Sequence, residues 1–221
     1  MAIIKNHDFV EIEYTGRVKE DNSVFDTTDE DIAKQSEVFD KHADYKPMVI
    51  CIGENHILKS VEDQLIGKET GKGYIFDIKA ESAFGKKDAK LIQLIPFSKF
   101  RQQNIQPFPG LQLNIDGVYG VVKTVSGGRC LVDFNHPLAG KDLVYEIMAN
   151  RIVEEINEKL RSLLKINLQM KDPEIALNEN KAEIRSKTKV PKEAQDELKG
   201  IIFRTIPDIK DITFTIAQEG K

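Results

Sequence analysis

The side chains that most often carry chemistry are sparse in this sequence and poorly spaced for it. Gly67 to Gly73 reads GKETGKG. It superficially matches a phosphate loop, but it is one residue short, lacks Ser or Thr after its second lysine, and follows a helical pattern where a phosphate loop follows a strand. It reads instead as a helix end and a turn. The four histidines, His7, His42, His56 and His136, show no i, i+4 pair with a third ligand, so no metal site is expected. Cys51 and Cys130 lie far apart among apolar neighbours, the setting of buried reduced thiols and not of a disulfide framework. No Ser, Thr or Cys stands in a nucleophile motif, and the carboxylates cluster only in the stretch after Asp26. Covalent and general acid/base catalysis have no visible apparatus, and no cofactor is expected.

The elements that would position any site are clearer. Phe9/Val10, Ile12 and Tyr14 alternate with polar residues, which predicts a half-exposed strand, and a second strand begins at Val24. TTDEDIAKQSEVFDKHADYKP is an acidic surface excursion with a helical turn or two, and MVICIG is a buried strand. Ile57, Leu58, Val61, Leu65 and Ile66 share one helical face that ends on Gly67. Tyr74, Phe76 and Ile78 alternate in a further strand. That sheet still lacks a member. The run from Leu143 to Ile147 alternates too, and its partner must lie far upstream, because the block before it is self-contained. Residues 86–134 hold three or four short β runs with Asp116-Gly117 and Gly127-Gly128 as hairpin turns.

Residues 154–221 read separately. Ile152, Ile156, Leu160, Leu163 and Leu164 stripe one helix, and a hairpin turns around Asn178 to Asn180. Pro191 opens a second helix striped by Ala194, Leu198, Ile201 and Ile202, and Ile212, Phe214 and Ile216 form a last strand. The expected class is α+β: an antiparallel sheet wrapped on one helix (1–85 and 135–153), an inserted small all-β domain (86–134) and a C-terminal domain ordered α-β-β-α-β (154–221).

Composition fits a soluble globular chain, with 40% hydrophobic and 31% charged residues and a net charge of -4. The start has no apolar run suited to a signal peptide and no later run suits a membrane span, so a cytoplasmic protein without a membrane partner is expected. The inserted block is basic, 7 Lys and Arg against 3 Asp and Glu. Four excess charges are too few to predict a nucleic-acid partner.

Four strings in order carry a resemblance: YTGRVKEDNSVFDTT, GENHILKSVEDQLIG, AESAFG and, after the interruption, NHPLAGKDLVYEI. Together they resemble the FKBP family of peptidyl-prolyl cis/trans isomerases. The interruption after AFG is similar to the SlyD-type branch, which inserts a chaperone module in the flap, and the extension to the long-type archaeal members. The resemblance covers residues 1 to about 153. It implies a prolyl isomerase whose pocket falls on Tyr14, Phe25, Asp26, Met48, Ile57, Leu58, Val61, Phe84 and Tyr145, with the Ile57 N–H holding a substrate carbonyl and Asp26 beside Tyr14. It also implies partners that are unfolded or partly folded chains with X-Pro bonds.

Three positions depart from the family. Val61 stands where a Trp is usual, Phe84 lacks a usual Tyr hydroxyl, and Met48 replaces an aromatic wall, so the pocket base should be wider or shallower and macrolide inhibitors should bind less tightly. In the insert, Leu91, Ile92, Leu94, Ile95, Phe97 and Phe100 suggest a groove for unfolded chain. A rival reading is a holdase that binds without catalysis. A metal chaperone is the third reading, and the lack of His and Cys in the tail argues against it. The amphipathic C-terminal helices lead to the expectation of a homodimer or of client contact.

Overall fold

A computed structural model describes residues 1–115 and 117–216 of the chain. It contains two compact units. One joins residues 1–78 to those described from Leu143 onward, and the other is Lys79–Asp142. The second is wider at both ends than 86–134.

The first unit opens with β1 (Phe9–Val18), which buries Phe9, Val10, Ile12 and Val18. β2 (Val24–Thr27) folds back on its later half, Thr15 opposite Thr27. α1 (Glu30–Gln35), capped by Asp29, lies in the acidic excursion. β3 (Met48–Cys51) pairs with the earlier half of β1, Phe9 opposite Cys51. α2 (Lys59–Leu65) buries Val61, Glu62 and Leu65 and leads to β4 (Lys72–Ile78). The helical stripe predicted α2 from Ile57, but Ile57 lies before it, because the loop amides there turn toward the Glu62 carboxylate instead of continuing a helix.

The second unit contains β5 (Ile92–Pro96), α3 (Phe97–Gln102), β6 (Gln112–Ile115), β7 (Val118–Ser126) and β8 (Arg129–Asp133). Its antiparallel sheet has the order β5-β8-β7-β6. Phe100, Leu113, Val122, Cys130 and Val132 form its core. Gly127 and Gly128 turn the β7–β8 hairpin with φ of 56° and 73°, as their types predict. Of the Asp116-Gly117 turn, Asp116 lies outside the described residues. The block is not all-β. Pro96 precedes α3 as its N-cap, and the i, i+3 spacing of Phe97 and Phe100 lets both rings pack on the small core.

β9 (Leu143–Val153) then returns to the first unit. It pairs with β1 along its length and with β4 on its other edge, so that Ile147 is opposite both Tyr14 and Tyr74. The sheet order is β2-β1-β9-β4, with β3 also on β1. Ile152, expected on a helix, belongs to this strand.

α4 (Ile156–Leu168), β10 (Glu174–Asn178), β11 (Lys181–Ser186), α5 (Lys192–Thr205) and β12 (Asp211–Ile216) follow. β10 and β11 form an antiparallel hairpin, while β11 and β12 are parallel with α5 as the crossover. Leu160, Leu163 and Leu164 of α4 and Leu198, Ile201 and Ile202 of α5 are buried in one cluster with Phe9, Cys51 and Val153. The stripes that the sequence left open for self-association are thus covered within the chain, each fully buried Leu or Ile contributing about 1.5–3 kcal/mol. No helix among the described residues is long and apolar enough to cross a membrane.

Candidate functional site: an aromatic cleft on the central sheet

Tyr14 sits on β1 with its backbone fixed from both sides. Its N–H donates to Thr28 Oγ1 at 2.9 Å, and its carbonyl accepts from Thr27 Oγ1 at 3.1 Å. Its phenol donates to Asp26 Oδ2 at 2.6 Å. The Tyr14 ring lies 5.9 Å from that of Tyr145 on β9, and Tyr145 meets Phe25 of β2 edge-on at 5.7 Å. Three neighbouring strands therefore place three rings together. The cluster depends on Gly16, because a Cβ there would stand 2.5 Å from Phe25 Cζ.

Tyr14 and Phe25 form part of a cleft of about 680 Å³, lined also by Asp26, Tyr45, Pro47 and Met48 and by side chains of α4 and residues 171–173. Tyr145 is buried behind Tyr14 and Phe25, and Val61 is completely buried in α2. Phe84 belongs to the Lys79–Asp142 unit, where its ring stacks on His136 at 4.3 Å and 4°.

Ile57 and Leu58 are half-buried in the loop before α2. The Ile57 N–H donates to Glu62 Oε1 at 3.2 Å, while Gly53 and Asn55 donate to Glu62 Oε2 at 2.7 and 3.2 Å. The amide expected to hold a substrate carbonyl is thus already engaged. The next one, of Leu58 at the N-cap of α2, has no acceptor among the described residues. In the same loop, His56 Nδ1 accepts the Cys51 N–H at 3.0 Å, and Nε2 is buried without a partner among the described residues.

Near neutral pH both tyrosines of the site are held protonated. Burial, followed by the charge and hydrogen bond of Asp26, pushes the Tyr14 phenol well above its ordinary 10.0. Burial does the same to Tyr145, with Asp26 adding to it. Burial also lowers the His56 pKa, so that ring is neutral. The Cys51 thiol is pushed up to about 12, mainly by burial, with Glu54 and Glu62 adding to it. No group of three or more His, Cys, Asp or Glu among the described residues is arranged to hold a metal. The cleft lining joins aromatic side chains, Tyr14, Phe25 and Tyr45, to charged ones, Asp26, Lys46, Glu158 and Lys165.

Residue types did not reveal Gly16, Glu62 or the α4 side chains. A glycine in a strand interior was the one available signal for a close approach at Gly16.

The family model for FKBP-type peptidyl-prolyl cis-trans isomerase matches residues 2–99, and that for FKBP26, IF domain matches residues 93–138. The chain is 31% identical over 145 residues to the short-type peptidyl-prolyl cis-trans isomerase of Methanocaldococcus jannaschii, covering 66% of this chain and 91% of that one. It is 29% identical over 106 residues to the FKBP-type 16 kDa peptidyl-prolyl cis-trans isomerase of Escherichia coli, covering 46% and 71%. With the FKBP-type isomerase SlyD of Helicobacter pylori it shares 27% over 126 residues, covering 54% and 68%. Built around a cleft of aromatic walls, the chain belongs to the FKBP-type peptidyl-prolyl cis-trans isomerases.

Proposed function

We propose that this isomerase works on X-Pro bonds of unfolded or partly folded proteins, which its Lys79–Asp142 unit captures for the cleft. Rotation about the prolyl C–N bond crosses a barrier of about 18–20 kcal/mol in ordinary amides, because twisting breaks resonance. The cleft lowers it by binding the twisted amide better than the planar one. Tyr14, Phe25 and Met48 supply the apolar surround, with Tyr145 packed beside the first two rings. Two buried, unpaired thiols, Cys51 and Cys130, suit a reducing cytoplasm.

The observation that carries the capture reading is apolar exposure in the inserted unit: Leu94 is 60% exposed, Phe108 56% and Tyr119 75%. Leu91 is exposed as well, and Ile92 is half-buried. Leu94 lies opposite Leu131 on the β5–β8 pair, so the two share a face. Phe100, expected in the groove, is buried in the unit's own core, with Ile95 and Phe97 packed against it. Those three side chains stabilise the unit, and the capture surface passes to Leu91, Leu94, Phe108 and Tyr119.

The test replaces residues 86–134 by a short turn and compares a prolyl tetrapeptide with a proline-limited refolding protein. Tethering a chain near a site is worth about 10²- to 10⁴-fold in avidity. Refolding catalysis should therefore fall far more than peptide isomerisation, and Leu94→Ser with Phe108→Ser should reproduce part of the fall. Equal losses would show that the unit shapes the cleft instead, and no loss would remove it from the mechanism. A chain that binds clients but leaves tetrapeptide isomerisation at the uncatalysed rate would establish the holdase reading.

A further inference from the structure

The C-terminal helix α4 has two working faces. Leu160, Leu163 and Leu164 fill the core, while Glu158, Arg161, Ser162, Lys165 and Ile166 line the aromatic cleft. These five positions follow i, i+3, i+4, i+7 and i+8, so they form one continuous stripe. The segment Lys171–Pro173 extends the same wall. The same cleft is lined by Tyr14, Phe25, Asp26 and Met48.

We infer that this wall is a substrate subsite, which takes the extended main chain flanking the proline with little sequence selectivity. The inference rests on the cleft being the isomerase site, and it gives α4 a part in substrate binding. Three observations point to polypeptide as the occupant. The α4 wall lines the same cleft as the rings, so a chain with its proline among the rings must continue somewhere along it. At about 680 Å³ it is within the usual range of ligand sites and exceeds what one prolyl ring needs. Its α4 wall mixes the half-buried, aliphatic Ile166 with hydrogen-bonding groups, as main-chain recognition requires.

The polar groups of this wall are held ready. Arg161 donates from Nε to Asn157 Oδ1 at 2.8 Å and from Nη1 to the Pro173 carbonyl at 3.0 Å, which fixes the guanidinium and leaves Nη2 uncommitted among the described residues. Lys165 is tied to Asp44 of the acidic excursion at 2.6 Å, bracing the two sides of the cleft. Lys171 makes no ion pair among the described residues and is exposed beside Pro173. Charges of both signs line the wall, so no single side-chain type is selected. Such tolerance suits a catalyst that must accept many chains.

The direct test is an amide titration of the full-length, isotope-labelled protein with two sets of unstructured prolyl peptides. One set is a tetrapeptide, and the other extends it by six residues on the N-terminal or the C-terminal side. Both sets should perturb Tyr14, Phe25 and Met48, while one of the extended peptides should also perturb Glu158 to Ile166 and Lys171. Perturbation that stops at the aromatic side for every length overturns the subsite. Failure of even the tetrapeptide to perturb Tyr14 would instead overturn the placement of the prolyl site. In a kinetic arm, Ile166→Ser and Lys171→Glu should each lower the long-to-short ratio of kcat/KM, by about fivefold for loss of the apolar contact. An unchanged ratio in both folded variants also overturns it.

Discussion

Arg204 of α5 grips Glu54 with both arms of its guanidinium: Nε donates to Oε1 at 2.8 Å, and Nη2 pairs with Oε2. The Glu54 side chain is only 5% exposed, whereas that of Arg204 is half exposed. Glu54 begins the loop that carries His56, Ile57 and Leu58, so α5 is tied to that loop. Arg204→Ala should leave a carboxylate buried without its partner and destabilise the fold by about 1–3 kcal/mol. Arg204→Lys keeps the charge but not the planar fork, and should recover only part of this. Thermal unfolding reads the stability, and amide exchange at Asn55 and Ile57 reads the loop. Unchanged exchange in Arg204→Ala would show that the loop holds itself through Glu62 alone.

Gly16→Ala should be far more harmful than its one methyl suggests. Its Cβ would fall 2.5 Å from Phe25 Cζ, and the ring is part of the cluster with Tyr145. Overpacking of this kind typically costs about 1–3 kcal/mol. Relief by rotation of Phe25 would open one wall of the cleft. The expected result is a fall in kcat/KM on a tetrapeptide together with a lower Tm. A variant as active as the parent would mean that Phe25 is dispensable to the wall.

Isomerase activity should be flat between pH 6 and 8, because Tyr14 and Tyr145 are both held protonated far above that range. Stability has its own pH window. The folded pKa of each tyrosine is raised above the ordinary 10.0, so the stabilisation is fully present below that value and is lost as pH rises beyond it. Denaturant midpoints should therefore decline above pH 10, less so in Tyr14→Phe. That variant also leaves Asp26 without its donor, and kcat/KM should drop by about fivefold, the equivalent of one net hydrogen bond. A steep activity change between pH 6 and 8 in folded protein would contradict a mechanism without proton transfer.

Truncation after Val153 should expose Phe9, Cys51 and Val153, which share a core with Leu160, Leu163 and Leu164. Losing the cover of two large apolar side chains should cost roughly 3 kcal/mol or more. The shortened chain should unfold earlier and associate through the bared face, with a sedimenting mass above that of its monomer. An equally stable monomeric fragment would mean that the two sets of elements are energetically independent. A full-length chain that sediments as a dimer would support the self-association that the helix stripes first suggested, through a surface other than those stripes.

Much of this was legible from alternation alone. Tyr14, Tyr74 and Leu143 to Ile147 announced strands, and a sheet missing one member predicted that the chain would return at Leu143. Burial set by distant partners was not legible. Glu62 sits in a charged helical run that reads as a solvent face, and only the folded loop brings the Gly53, Asn55 and Ile57 amides onto its carboxylate. Likewise Arg161, Lys165 and Ile166 read as the outer face of α4 until the acidic excursion is placed across from them. Phe100 reads as part of a capture groove because an apolar side chain in a small unit looks like surplus, whereas its spacing from Phe97 serves the unit's own core.

Asp133 offers a sharp test of what holds the inserted unit together. It is 5% exposed at the end of β8 and pairs with Lys87 at 2.8 Å. It also accepts the Asn135 backbone N–H at 3.0 Å and its side-chain amide at 2.8 Å. Asn135 in turn binds the Asp88 backbone through its own amide, accepting the N–H at 2.7 Å and donating to the carbonyl at 3.1 Å. The two ends of the insert are thus latched across one carboxylate. Burial alone would raise this carboxyl, but the Lys87 and Asn135 donors outweigh it and hold the pKa at about 2, below the ordinary 3.8. A depressed carboxyl gives stability that is present above its unfolded pKa and lost as pH falls through its folded one. The inserted unit should therefore loosen between pH 4 and pH 2, visible as faster amide exchange in residues 86–134. Asp133→Asn keeps the shape but loses the charge, so it should be less stable at pH 7 and much flatter across that window. Parallel acid profiles for the variant and the parent would place the latch in other groups.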